Sequence, residues 1–125
     1  MDCGGLMKRD NEVKELSFKF ALKIIDLYKF LKNKNEYVLS KQILRSGTSI
    51  GANVEESQAA QSKRDFISKL SIANKEARET IYWLRLLKES NYLDNYRATD
   101  DLFKNCLSLI NLLTKIIKTL QSKEK

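Results

Sequence analysis

This sequence predicts an all-α fold, an antiparallel up-down-up-down four-helix bundle, and three observations lead there. The chain has no proline and only four glycines, two of them at Gly4 and Gly5. A β-rich domain of similar size needs many turns, with the Gly and Pro punctuation that turns require. Apolar residues recur at steps of three and four through four long segments, the spacing that gathers side chains on one helix face. Short links join these segments, which makes successive helices antiparallel neighbours. With 125 residues, 42% hydrophobic and 31% charged, the chain fits a single domain able to bury its own core without disulfide or metal.

Residues 1–9 are expected to form a flexible tail, and the first helix to run from Asp10 to Asn33. Val13, Phe20, Ile24, Leu27 and Leu31 share its inner face, while Phe18, Leu22, Ile25 and Phe30 lie outside that stripe. Asn33-Lys34-Asn35 supplies the break, since asparagine tolerates the turn conformations that end helices. The second helix is expected from Glu36 to Ala60, with Ser40, Ile43, Gly47, Ile50 and Val54 inward and Leu44 and Gly51 beside them. A glycine inside a helix costs about 1 kcal/mol relative to alanine, so Gly47 and Gly51, four apart, need a reason. Two readings fit: a continuous helix whose small face admits another backbone, or a break at Ser46-Gly47-Thr48-Ser49.

Ser62, with Asp65 three residues on, resembles a capping box and starts a third helix from Lys63 to Ser90. Its stripe is Phe66, Leu70, Ala73, Ala77, Thr80, Leu84 and Leu87, bordered by Ile67, Asn74 and Ile81. Ile72, Trp83 and Leu86 form a second strip on the far side. A link from Asn91 to Ala98 leads to a fourth helix, capped by Thr99 and ending at Gln121. There Leu102, Cys106, Leu109, Leu113, Ile116 and Leu120 line up, with Phe103, Ile110, Ile117 and Leu112 widening the apolar arc to near half the circumference. That is more than the surface helix of a monomer needs. The surplus strips on helices one, three and four predict self-association, and symmetry makes a closed homo-oligomer the default. Residues 122–125 are expected to fray.

The chain has no histidine, which removes the commonest metal ligand and the commonest general base. Ser46, Thr48 and Ser49 therefore lack a partner for hydroxyl catalysis, and Gly47-x-x-x-Gly51 lacks the lysine and strand of a phosphate loop. Glu55 and Glu56 are adjacent and diverge by about 100° on a helix. Glu56 and Glu76 can meet across helices, but no His or Cys completes a metal shell; an acid–arginine pair with Arg45 or Arg78 is the expectation. Asn53 reads as a buried or interfacial polar residue that fixes helix register. Cys3 and Cys106 read as free thiols, and Tyr82 and Trp83 as packing residues. No catalytic residue, metal or cofactor is expected. No apolar run is long enough to span a membrane and no signal-peptide core opens the chain, so a cytoplasmic location is expected.

The formal net charge is +7, from 23 Lys plus Arg against 16 Asp plus Glu. Such a surplus favours polyanionic partners. Lys75, Arg78 and Arg85 share a polar face of helix three, Lys41 and Arg45 sit four apart on helix two, and Lys115 and Lys118 mark helix four.

From Ser49 to Leu87 the segments S-I-G-A-N-V-E-E-S, S-K-R-D-F-I-x-K-L-x-I-A and K-E-A-R-E-T-x-Y-W-L-R-L-L resemble the signature of the proteins encoded in intervening sequences of bacterial 23S rRNA genes. The resemblance implies a left-handed bundle, a second helix continuous through Gly47 and Gly51, and a homopentamer around a central channel. It brings no catalytic residues. A related branch comprises accessory proteins of diversity-generating retroelements, in which a basic pentamer binds nucleic acid and a reverse transcriptase. Many relatives carry a proline after the isoleucine of this motif, where this chain has Gly51-Ala52, and that role is not carried over.

The expectation is thus a non-enzymatic bacterial protein, a homo-oligomeric basic ring binding RNA or DNA through Lys41, Arg45, Lys75, Arg78 and Arg85. Gly47, Gly51, Asn53, Glu56, Glu76 and Trp83 are the expected packing and interface residues. The alternative is an oligomeric scaffold for a protein partner, its charge serving solubility alone.

Overall fold

A computed structural model describes residues 3–122, which form α1 (Cys3–Asn33), α2 (Leu39–Ser57), α3 (Lys63–Glu89) and α4 (Thr99–Ser122). Among these residues there is no strand. The helices pack cyclically, α1 on α2, α2 on α3, α3 on α4 and α4 on α1, around one core.

Cross-helix contacts run in opposite sequence directions, so neighbours are antiparallel. Arg45 meets Glu76 where Glu56 approaches Lys69, and Gly47 faces Ile24 where Gly51 faces Ser17. Lys88 lies over Phe103 while Asn74 reaches Thr114 on the α3–α4 seam. Every residue of the first, second and fourth expected stripes is buried, and of the third only Phe66 is half-exposed.

The helix ends show how the turns are made. Asn35 adopts φ 63°; its N–H bonds the Lys32 carbonyl at 2.9 Å and the Glu36 N–H reaches back to Leu31 at 2.9 Å. That is a Schellman stop with asparagine in the left-handed position. Asn91, at φ 69°, repeats it at the end of α3, with Tyr92 N–H on the Leu87 carbonyl at 3.0 Å. Ser62 caps α3 through its Oγ, 3.0 Å from Asp65 N, while Asp65 Oδ2 reaches Gln61 N at 3.4 Å.

Six boundaries differ from the sequence expectation, two of them the ends of α3 at Glu89 instead of Ser90 and of α4 at Ser122 instead of Gln121. α1 begins at Cys3 rather than Asp10: Gly4 and Gly5 cost about 1 kcal/mol each, but no proline interrupts residues 3–9 and extending an existing helix is cheap compared with nucleating one. Residues 1–2 of the expected tail lie outside the described residues. α2 begins at Leu39 rather than Glu36, because Glu36 completes the preceding stop and its Oε1 accepts from Ser40 N at 2.6 Å. Its other end stops at Ser57, three residues short of Ala60, where successive N–H groups tighten onto carbonyls three residues back. Thr99 is inside α4 rather than its cap, since its hydroxyl donates to the Tyr96 carbonyl at 2.7 Å and Ala98 supplies the carbonyl for Leu102 N–H. Of the tail expected at 122–125, Ser122 is the last helical residue and 123–125 lie outside the described residues.

Candidate functional site

The densest polar arrangement lies on the α2–α3 seam. Glu76, Glu79 and Trp83 recur at steps of three and four on the side of α3 that meets α2. The Arg45 guanidinium forks onto two of them, with Nη1 2.9 Å from Glu76 Oε2 and Nη2 on Glu79 Oε2. The same Glu79 oxygen accepts the Trp83 indole N–H at 2.9 Å, and Trp83 packs against the core. One layer deeper, the buried hydroxyls of Ser46 and Thr80 lie 2.8 Å apart. The sequence offers Arg45 both as the partner of an acid such as Glu76 and as a nucleic-acid ligand; the structure forms the first pairing and adds Glu79 to it.

The other expected ligands stand apart from this fork. Lys41, Lys75, Arg78 and Arg85 are exposed, and among the described residues none of them is in an ion pair. The structure brings Lys75, Arg78 and Arg85 together on the outward face of α3, with Tyr82 among them.

Gly47 and Gly51 form the contact of α2 with α1. A Cβ on Gly47 would stand 2.8 Å from Ile24 Cγ1 and 2.9 Å from Cγ2, and one on Gly51 would meet the Ser17 carbonyl oxygen at 3.3 Å. Asn53 does not reach another helix; its Nδ2 donates to the Ser49 carbonyl of its own helix at 2.9 Å. Glu56 is exposed and makes a loose 3.9 Å pair with Lys69. The close polar contacts between α2 and α3 are those of Arg45 and Thr80 instead. Thr80 is buried in the stripe where the sequence places it, but its bond to Ser46 is not foreseen, and neither is the role of Glu79, although the Glu79 to Trp83 spacing of four was the visible signal.

The reactive inventory is thin. Thr48 donates to the Leu44 carbonyl at 2.7 Å and Ser49 to that of Arg45 at 2.6 Å, which returns both hydroxyls to their own helix. Burial pushes the Cys106 thiol up to about 12, and its S–H points at the Ala77 carbonyl, 3.3 Å away. Among the described residues no group of three His, Cys, Asp or Glu side chains converges as a metal site. No helix among them is long and apolar enough to cross a membrane.

Known proteins resemble this chain. The family model described as 23S rRNA-intervening sequence protein matches residues 9–119. A crystal structure from Bacteroides thetaiotaomicron VPI-5482, described as a protein with unknown function from the S23 ribosomal protein family, is 50% identical. The match covers 88% of this chain and 98% of that one, with a TM-score of 0.83. No curated protein matches the chain.

Proposed function

This chain belongs to the family of 23S rRNA-intervening sequence proteins, and from that premise we propose that it is a non-enzymatic, cytoplasmic protein that assembles into a homopentameric ring and binds RNA or DNA. The observation that carries the nucleic-acid reading is the row of exposed cations Lys75, Arg78 and Arg85 along one face of α3, in no ion pair among the described residues, in a chain of net charge +7. Ring symmetry repeats such a row in every subunit and concentrates its field. Lys41 adds to it from α2.

Self-assembly is supported by apolar side chains left in solvent on two neighbouring helices. Phe18 is 62% and Leu22 51% exposed on α1, and Leu107 is 51% exposed on α4. The small residues Ala21, Gly51 and Ala52 form a shallow groove beside Phe18. The same surface favours the second reading, a scaffold whose partner is another protein.

Filter binding of structured RNA and of duplex DNA across a salt series separates the two. A phosphate-binding ring loses affinity steeply as salt rises, because each neutralised phosphate releases counterions. Absence of binding even at low salt refutes the nucleic-acid reading and leaves the scaffold. Light scattering at micromolar protein tests the assembly, and a monomeric mass refutes the ring.

A further inference from the structure

The outward face of α3 carries an aromatic ring between Arg78 and Arg85, two arginines in no ion pair among the described residues. With about 100° between successive helical residues, Arg78, Tyr82 and Arg85 fall within an arc of roughly 60°, and Lys75 widens it only to about 80°. From Lys75 to Arg85 the strip rises about 15 Å along the helix. Tyr82 is 50% exposed. Its ring meets Trp83 in an edge contact, with centroids 5.3 Å apart and planes at 62°. Trp83 is itself held by Glu79, which is held by Arg45. The ring thus rests on a fixed support instead of swinging freely.

The acids nearby do not cancel this strip. Arg45 draws Glu76 and Glu79 towards α2 and balances one of their two charges, and Glu89 lies one turn beyond Arg85, so the three cations of the strip still outnumber the unbalanced acids. What remains is cation, ring, cation along an open helix face.

We infer that this strip binds a single-stranded polynucleotide, with Tyr82 stacked on an unpaired base and Arg78 and Arg85 holding phosphates to either side. The inference rests on the nucleic-acid reading above and adds the form of the ligand and a residue that touches the bases. In a duplex both faces of each base are covered by neighbours, so an aromatic platform selects strands whose bases are unstacked. Stacking needs no hydrogen-bond code, so the strip tolerates sequence. The sugar plays no part, and RNA and DNA strands bind alike.

The test uses the full chain and fluorescence anisotropy with labelled oligo(U), oligo(dT) and a mixed-sequence duplex, each about 15 nucleotides long. Both single strands bind more tightly than the duplex at equal salt. Tyr82→Ala weakens single-strand binding roughly tenfold to a hundredfold, the range of one lost base–aromatic stack, and Tyr82→Phe stays within about twofold of the parent. Replacing Arg78 and Arg85 by Ala lowers the salt slope by about one per lost phosphate contact. Circular dichroism and light scattering of Tyr82→Ala match the parent, because the ring is outside the core.

Four results overturn the inference. If Tyr82→Ala binds as the parent does, or the duplex binds as tightly as the single strands, the strip is not a stacking platform, while the nucleic-acid reading stands. If no strand binds at low salt, that reading falls and this one with it. If Tyr82→Ala changes the assembly mass, the ring belongs to a protein contact.

Discussion

Replacing Gly47 by alanine tests the claim that α2 and α1 meet through a glycine. On an ordinary helix the change gains about 1 kcal/mol in propensity. Here the new Cβ would stand 2.8 and 2.9 Å from Ile24 Cγ1 and Cγ2, and 3.1 Å from Cδ1. The two closest atoms are attached to Cβ of a β-branched residue that is fully buried, and such a residue has one strongly favoured χ1 in a helix. It cannot swing aside, so α1 and α2 must separate locally. Overpacking of this kind costs about 1–3 kcal/mol, enough to cancel the propensity gain and in most of the range exceed it. The expected net loss is about 0–2 kcal/mol, or a Tm lower by up to roughly 8 °C.

Gly51→Ala is the internal control. Its Cβ would meet the Ser17 carbonyl at 3.3 Å, where a few tenths of an ångström of give suffice, and stability should change by less than about 1 kcal/mol. Urea unfolding followed by circular dichroism, at fixed protein concentration, measures both. The double variant Ile24→Ala with Gly47→Ala closes the cycle: with Ile24 truncated, the added methyl enters free space and becomes stabilising, giving a coupling of about 1–3 kcal/mol. A Gly47→Ala protein more stable than the parent, with no coupling to Ile24, would refute the close approach.

Thr80→Val leaves the Ser46 hydroxyl buried without its partner, and should cost about 1–3 kcal/mol by urea melts. Adding Ser46→Ala should recover part of that loss. Ser62→Ala removes the acceptor for Asp65 N–H and should cost about 0.5–2 kcal/mol by the same assay. In a Cys3→Ser background, Cys106 should resist alkylation in the native state at pH 8 and react on unfolding. Because its folded value is raised from 9.0 to about 12, the unfolded thiol ionises first. Stability is therefore intact below about pH 9 and falls as pH climbs towards 12, a loss that Cys106→Ala removes.

The core was legible because its signal is local. Each of Val13, Phe20, Ile24, Leu27 and Leu31 is fully buried, and the 3.6-residue period names them without knowledge of any neighbour. The helix stops were legible in part: Asn35 and Asn91 sit where breaks were expected, yet the involvement of Glu36 needed the fold, since nothing in a lone glutamate shows that it will cap the next helix. Cross-helix pairing is where sequence fell short. Asn53 has the side chain of a register-setting residue, but whether it meets α3 or its own helix depends on a rotation of a few tens of degrees about the α2 axis. Thr80, an unremarkable member of the stripe, makes the buried link instead.

Arg45 and Arg78 show why charge alone does not assign a role. Both are exposed arginines on adjoining helices, but Arg45 reaches two glutamates and Arg78 is unpaired among the described residues. A half-exposed ion pair contributes only about 0–1 kcal/mol to folding, so stability gives a weak account of the fork. Its effect on the surface field is larger: without Arg45, Glu79 becomes a free anion beside the cations of α3 and the support beneath Tyr82 loosens. Arg45→Ala should therefore weaken single-strand binding without being a phosphate contact. The combination Arg45→Ala with Glu79→Gln separates the possibilities, because it removes the arginine and the exposed charge together while glutamine keeps an acceptor for the Trp83 indole. Recovery of affinity in the double variant marks Arg45 as a neutraliser. If affinity stays as low as in Arg45→Ala, the arginine itself touches the strand, and the division of labour between α2 and α3 fails.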